Sequence, residues 1–281
     1  MGRVSQLSVV SVHFTRECNL NCTFCYRPKT ETGNEKPLQF FIDCVKHIRE
    51  LAPQIALGGG EPFLFPGFVS TLGEECKKQG VILNVTTNGT LIRDMDNVSL
   101  HQAVKDVAMV SVSLDHAKWY NLRDYASATH RIKSANPKVL IGTNLLIEPV
   151  LFEEKGKPLF NVVQFCLKVA RVDRVFLLYP KNITLGVDII DYKDLLASTS
   201  TVFPGKVFTD DLTHQILEHG YPPWGVPCHH GREIVSVDEE GGVHGCSFDA
   251  APVLKMEVPA DILKSKDISF ENRMSCPYLK R

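Results

Sequence analysis

Residues 7–14 read LSVVSVHF, and residues 18–25, which follow closely, read CNLNCTFC. The first run is rich in β-branched residues and predicts a strand, so the cysteines fall on the loop after it. The same succession of strand, loop and helix continues to about residue 180. The predicted strands are 7–14, 54–59, 81–87, 107–114, 138–147 and 174–179, and the predicted helices are 36–51, 66–79, 97–105, 117–134 and 158–170.

Six apolar strands that alternate with helices indicate a parallel sheet covered by helices. Glycine-rich and polar segments come directly after these strands, where α/β barrels build their active sites. Six units are fewer than the eight of a closed TIM barrel. The sequence therefore predicts an α/β fold, a partial (β/α)6 TIM-type barrel, over residues 1–203.

The pattern changes after residue 203, where prolines become frequent and helices short. Residues 232–237 and 242–246 predict two strands joined by DEEG, which is a hairpin signal. We therefore expect residues 204–281 to form a small C-terminal extension that contains a β-hairpin.

Composition narrows the class of protein. The 281 residues are 44% hydrophobic and 22% charged, and 31 basic against 32 acidic residues give a net charge of −1. This balance argues against a strongly electrostatic nucleic-acid binder. The amino terminus lacks a secretion-signal pattern, and no run approaches the roughly 20 apolar residues of a membrane helix. We expect a cytoplasmic protein without nucleic-acid or membrane partners.

Three of the nine cysteines lie within eight residues, at Cys18, Cys22 and Cys25. Clustered cysteines in a reducing compartment suggest metal or redox chemistry rather than disulfides. Structural zinc normally takes four ligands, so a zinc site would need a further ligand, for which His13 is nearest. A cubane iron–sulfur cluster held by three cysteines would instead keep one iron open. Chance clustering is the remaining alternative.

The spacing C-x3-C-x2-C, with the aromatic Phe24 before the last cysteine, resembles the signature of the radical SAM superfamily. The resemblance covers about residues 8–180, and Gly58-Gly59-Gly60-Glu61-Pro62 is similar to the glycine-rich S-adenosylmethionine (SAM) motif of that family. It implies a 4Fe-4S cluster with an open iron that chelates SAM. It also implies reductive cleavage of SAM to a 5′-deoxyadenosyl radical, with an electron from a reductant such as flavodoxin or ferredoxin.

Further positions at strand ends are candidates for cofactor binding. TNG, with Thr87 and Asn88, could reach SAM, although it is also a good turn. The resemblance implies a role on the SAM carboxylate for Ser113 and Arg123, and the planar fork of arginine suits a carboxylate. The remaining candidates are Asn144, which either lines the cavity or is a core amide, Leu178 beside the adenine, and Tyr179 and Lys181 as weak catalytic candidates.

Cys228 and Cys246 flank the predicted hairpin, and Cys276 lies in the tail. This arrangement resembles part of the SPASM or twitch extension of radical SAM enzymes, which implies an auxiliary iron–sulfur cluster. A complete SPASM domain has more cysteines than this segment. The alternatives are a zinc site or structural cysteines, and an auxiliary cluster could complete its ligands with His229, His230 or Asp249.

The resulting hypothesis is a radical SAM oxidoreductase that abstracts hydrogen from a small-molecule or peptide substrate. An auxiliary cluster would make net oxidation natural, because it could accept the electron left on the substrate. Only 17 residues precede Cys18, which favours a small substrate or a peptide delivered by another protein. The alternatives are redox-neutral chemistry with a single cluster and a noncatalytic iron–sulfur or zinc protein.

Overall fold

The computed structural model describes residues 7–27, 34–115, 121–178, 189–210 and 231–268. Their strands are β1 (Val9–His13), β2 (Gln54–Gly58), β3 (Ile82–Thr87), β4 (Met109–Leu114), β5 (Leu140–Leu146), β6 (Arg174–Leu178), β7 (Val207–Thr209), β8 (Ile234–Val237), β9 (Gly242–His244) and β10 (Leu254–Lys255). Their α-helices are α1 (Leu38–Ile48), α2 (Pro66–Gln79), α3 (Asn97–Val104), α4 (Leu122–Ala135), α5 (Glu153–Lys168) and α6 (Ile189–Val202). Three 3-10 helices cover Pro62–Leu64, Pro149–Phe152 and Pro259–Asp267.

All ten described strands belong to one sheet, in the order β10-β9-β8-β1-β2-β3-β4-β5-β6-β7. Neighbours from β8 through β1 to β7 are parallel, whereas β8–β9 and β9–β10 are antiparallel. The helices that connect the parallel strands cover the sheet. The prediction of an α/β fold with an open, TIM-type parallel barrel is confirmed.

Apolar and polar side chains alternate along β1, so that one face of the sheet is apolar and the other is polar. In β1, Val10 and Val12 are buried in the hydrophobic core, whereas Ser11 and His13 line the interior cavity of the barrel. The two faces of a strand differ because successive side chains point to opposite sides of the sheet. The core therefore lies between the sheet and the helices, and polar side chains remain available inside the barrel.

The carboxyl-terminal part of the chain extends this same sheet on both sides. The predicted hairpin is present as β8 and β9, and β8 pairs in parallel with β1, with Ser11 opposite Ser236. On the other side, β7 adds a parallel strand beside β6 that the sequence pattern does not predict. Three residues are too short for an alternating pattern to be visible. The division of the chain at residue 203 stays a prediction.

Among the described helices, none is long and apolar enough to cross a bilayer.

The β1–β8 pairing generates a prediction for Val235, which is fully buried opposite Val10. Val235→Asn removes apolar burial worth about 1.5–3 kcal/mol and buries an amide at a cost of about 1–3 kcal/mol. We expect urea unfolding to show a loss of about 3 kcal/mol or more. The matched control is Ile234→Asn, because Ile234 is 43% exposed on the other face of the strand. Equal stability of the two variants would contradict the pairing.

Candidate active site

A cavity of about 420 Å³ lies at the carboxyl ends of the parallel strands. This is where α/β barrels place their active sites, and the volume falls within the range of small-ligand sites. Loops after β1, β2 and β3 supply one side of it, and β4 to β7 supply the other. The lining residues that the sequence singles out are Cys18, Cys22, Phe24, Cys25, Gly58, Gly59, Gly60, Thr87, Asn88, Ser113, Asn144 and Leu178.

The three clustered cysteines all lie on the loop that follows β1 and all line this cavity. Cys18 and Cys22 are partly exposed and Cys25 is exposed. The sulfur of Cys18 accepts hydrogen bonds from the backbone N–H of Leu20 at 3.4 Å and from Asn88 Nδ2 at 3.8 Å. Hydrogen bonds to a cysteine sulfur are among the contacts by which proteins tune iron–sulfur clusters.

The three cysteine thiols line one cavity, as the ligands of a single cluster would. Within the described ranges, no group of three or more His, Cys, Asp or Glu side chains is placed to hold one metal ion. His13, the residue nearest to completing a zinc site, has its Nε2 atom 3.1 Å from Ser11 Oγ. A cubane cluster takes each thiolate on a different iron, so its three cysteines need not meet at one point.

The glycine motif has a structural role that its sequence does not reveal. A Cβ atom on Gly60 would lie 1.8 Å from the carbonyl oxygen of Glu17, and one on Gly59, whose φ is +132°, would lie 2.8 Å from that of Thr15. The N–H of Gly60 donates to the carbonyl oxygen of Thr15 at 2.7 Å, and the N–H of Glu61 donates to that of Glu17 at 2.8 Å. The loop after β2 therefore packs backbone to backbone against the start of the cysteine loop.

Glu61 is fully buried and connects this motif to the loop after β3. Its carboxylate accepts hydrogen bonds from Thr87 Oγ1 at 2.6 Å, from the N–H of Asn88 at 2.7 Å and from the N–H of Phe63 at 3.0 Å. It is not among the residues that line the cavity. These bonds hold the carboxylate inside the protein and tie the glycine motif to the loop after β3. The role of Glu61 in cofactor binding stays a prediction.

Asn88 connects the loop after β3 to the cysteine loop. Its Nδ2 atom donates to Asn19 Oδ1 at 2.9 Å as well as to Cys18, and its Oδ1 atom accepts from the N–H and the hydroxyl of Thr90. Asn19 in turn donates to the Thr90 hydroxyl at 2.8 Å. The amide of Asn88 is therefore fixed in orientation beside the first cysteine.

The remaining predicted residues fall into three groups. Asn144 lines the cavity rather than lying in the core, and Ser113, Leu178 and Phe24 also line it. Arg123, in the first turn of α4, is exposed and does not line the cavity, so its role on SAM stays a prediction. Tyr179 and Lys181, the catalytic candidates, lie outside the described residues.

Several lining residues are not among the cofactor-binding or catalytic candidates of the sequence analysis: Ser11, His13, Tyr26, Asp115, Asp210 and Phe248. The signal for the first two is the interruption of an apolar strand by polar residues at alternate positions. His13 is 5% exposed, and its Nδ1 atom has no hydrogen-bond partner. Burial, followed by the positive charge of Arg27, lowers the pKa of His13 to about 3. The cavity therefore has a neutral imidazole at its wall.

The C-terminal segment reaches the cysteine loop through an aromatic stack. The rings of Tyr26 and Phe248 are stacked with centroids 4.2 Å apart and an interplanar angle of 19°. Phe248 follows Cys246, which is partly exposed just after β9. Cys228, His229, His230 and Cys276 lie outside the described residues, so the auxiliary site stays a prediction.

The isolated cysteines Cys44, Cys76 and Cys166 are buried in the hydrophobic core. Burial raises the pKa of each thiol to about 12, so these thiols stay protonated at neutral pH. This environment fits inert core residues rather than metal ligands.

A sequence profile of the Radical SAM superfamily matches residues 12–135, which include the cysteine cluster and the glycine motif. A pyruvate formate-lyase-activating enzyme of Staphylococcus epidermidis is 25% identical over 128 residues, which cover 41% of this chain and 50% of that protein. An S-adenosylmethionine-dependent nucleotide dehydratase, RSAD2, of Danio rerio is 32% identical over 92 residues, covering 31% and 25% of the two chains. The profile and these relatives support placing the chain in the radical SAM superfamily.

These alignments span half or less of the length of the curated relatives. Among solved structures, Streptococcus suis SuiB bound to S-adenosylmethionine has a TM-score of 0.69 at 15% identity, covering 86% of this chain and 61% of SuiB. SuiB bound to the precursor peptide SuiA has a TM-score of 0.65 at 15% identity, covering 87% and 60%. At this identity the likeness shows the shared fold.

The contact between the two loops generates a prediction for Gly60. Gly60→Ala forces the loops apart, and we expect a loss of about 1–3 kcal/mol in unfolding free energy, as for overpacked sites. Hydrogen exchange at residues 15–20 should become faster. The control is Gly67→Ala at the start of α2, where an added Cβ meets no heavy atom within 4 Å. If the two variants were indistinguishable, the backbone contact would not hold the cysteine loop.

Proposed function

We propose that this protein is a radical SAM enzyme whose Cys18, Cys22 and Cys25 hold a 4Fe-4S cluster with one open iron. The observation that carries the proposal is that these cysteines and Gly58–Gly60 line one cavity, with their loops joined by backbone hydrogen bonds. A cluster held there would supply one electron for reductive cleavage of SAM to methionine and a 5′-deoxyadenosyl radical, which would abstract hydrogen from the substrate. A one-electron reductant such as flavodoxin or ferredoxin would reduce the cluster again.

The residues of the chain would bind and orient SAM. The glycine backbone can approach a ligand closely because no Cβ intervenes. Asn88 and Ser113 offer polar groups at the cavity wall, and Leu178 and Phe24 offer apolar contact. Holding the reacting groups in a fixed geometry and excluding water are the protein's share of such a reaction.

The substrate would occupy the same cavity beside SAM. Ser11, His13, Asn144 and Asp210 line the cavity with hydroxyl, imidazole, amide and carboxylate groups. Such groups bind hydroxyl- or amine-bearing molecules by hydrogen bonds. Both a small molecule, such as a sugar or an aminocyclitol, and a peptide fit this chemistry, and the likeness in fold to SuiB, solved with its precursor peptide, keeps the peptide class open.

We further propose that Cys228, Cys246 and Cys276 hold an auxiliary iron–sulfur cluster in a twitch-like extension. The support is that Cys246 follows β9, whose partner β8 is part of the barrel sheet, and that Phe248 lines the cavity. Such a cluster could accept the electron left on the substrate, which would make the reaction a net oxidation. We propose that the enzyme acts in the cytoplasm.

The first cluster is tested by replacing Cys18, Cys22 and Cys25 together with alanine. We expect the variant to lose reductive cleavage of SAM to 5′-deoxyadenosine in the presence of dithionite, because no thiolates remain to hold the cluster. Cys44→Ala is the control, since this thiol is buried away from the cavity. Undiminished cleavage by the triple variant would contradict the proposal.

The auxiliary cluster is tested by replacing Cys228, Cys246 and Cys276 with alanine and measuring iron and SAM cleavage together. Two cubane clusters bring about eight irons to the wild type, and the variant should keep about half of them. SAM cleavage should remain measurable while conversion of substrate fails. A wild-type protein with only about four irons per chain would reject the auxiliary cluster and favour a single-cluster, redox-neutral enzyme.

A further inference from the structure

Glu239 lies in the turn between β8 and β9, and its side chain is fully buried. One carboxylate oxygen accepts a hydrogen bond from Arg16 Nε, and the other accepts one from Arg27 Nη2. A carboxylate is rarely buried completely unless its charge is paired, and here both oxygens are paired. The sequence pattern shows only a polar hairpin turn at this position.

The two arginines frame the cysteine cluster. Arg16 lies two residues before Cys18, and Arg27 lies two residues after Cys25. The carbonyl oxygen of the same Glu239 accepts a third hydrogen bond, at 2.7 Å, from the N–H of Lys36, just before α1. Glu239 therefore contacts one residue before the cysteine cluster, one residue after it, and the backbone just before α1.

The turn that carries Glu239 is itself firmly built. Asp238 Oδ1 accepts hydrogen bonds from the N–H groups of Glu240 and Gly242, and its Oδ2 atom is 2.8 Å from His244 Nε2. Burial acts to raise the pKa of Asp238, but the hydrogen bonds from His244 and Gly242 outweigh it and hold the pKa below its usual value. Gly241, at a φ of +81°, completes the turn. Glu239 is thus presented to the arginines by a fixed backbone.

We infer that Glu239 is a positioning residue for the cysteine loop, through which the C-terminal hairpin sets the placement and the charge environment of the first cluster. The inference rests on the proposed function for the nature of the cluster, but the contacts of Glu239 do not depend on it. Removing one member of a buried charge group leaves its partners uncompensated, which costs much more than the group contributes when whole. Net charge near a cluster is also one of the quantities that set its reduction potential.

The first measurement uses the protein before any metal is loaded. Trypsin cleaves after Arg16, whose side chain the carboxylate holds in the folded state. Glu239→Gln keeps the size of the side chain and removes the charge. We expect cleavage after Arg16 to become at least about tenfold faster, which corresponds to about 1.4 kcal/mol of local stability.

Two comparisons separate local release from general unfolding. Glu74→Gln removes the charge of an exposed glutamate that pairs with Lys105 at 2.7 Å, and it should leave the Arg16 site protected. Cleavage after Arg49, at the end of α1, should stay unchanged in Glu239→Gln. Unchanged cleavage after Arg16 in Glu239→Gln would overturn the positioning role.

The second measurement is the midpoint potential of the reconstituted first cluster, determined in variants that also lack Cys228, Cys246 and Cys276. Glu239→Gln removes a negative charge and should shift the potential to a more positive value. Arg16→Gln removes a positive charge and should shift it the other way, and it provides the test if Glu239→Gln does not fold. If Glu239 had only a structural role, the two variants would not shift the midpoint potential in opposite directions. Shifts in the same direction, or no shift in either variant, would therefore overturn the charge effect. If the protein takes up no cluster at all, the proposed function fails and the tryptic comparison decides the positioning role alone.

Discussion

The candidate site depends on a close contact between two backbones. The carbonyls of Thr15 and Glu17 receive hydrogen bonds from Gly60 and Glu61, and a side chain on Gly60 would collide with Glu17. Parallel strands β1 and β2 deliver the two loops to the same edge of the sheet, and glycine lets them close on each other. These two backbone hydrogen bonds hold the start of the cysteine loop, and the other contacts described for the loop act on that fixed segment.

From this contact, polar interactions run outward in both directions around the barrel. Toward β3, the buried carboxylate of Glu61 holds Thr87 and Asn88, and Asn88 reaches back to Cys18. Toward β8, the buried carboxylate of Glu239 holds Arg16 and Arg27. Both carboxylates serve the same purpose, because each converts an irregular loop into a rigid one by satisfying several donors at once. The proposed function, in which the site would hold a cluster and SAM in a fixed geometry, would benefit from such rigidity.

Local sequence patterns predict much of this molecule. The alternation of apolar strands and helices predicts the open barrel, and the spacing of Cys18, Cys22 and Cys25 predicts a loop that faces its cavity. These features are visible because each depends on residues that are close in sequence. Local sequence patterns do not predict β7, because its three residues are too few to show an alternating pattern. They also do not reveal the hydrogen bonds that the Glu61 carboxylate accepts from Thr87 and Asn88.

Local sequence patterns do not reveal contacts between residues that are far apart in the sequence. Glu239 lies 223 residues from Arg16 and 212 from Arg27, and no periodicity connects such positions. The parallel pairing of β8 with β1, which brings them together, follows from the topology of the sheet rather than from any motif.

The central claim is that the three cysteines hold a cluster with an open iron in contact with SAM. Electron paramagnetic resonance of the anaerobically reconstituted, dithionite-reduced protein tests it most directly, in a variant that lacks Cys228, Cys246 and Cys276 so that one cluster is observed. The account predicts the signal of a reduced 4Fe-4S cluster whose g-values change when SAM is added, because SAM becomes a ligand of one iron. A signal that SAM leaves unchanged, or a protein that contains stoichiometric zinc and gives no signal, would contradict it.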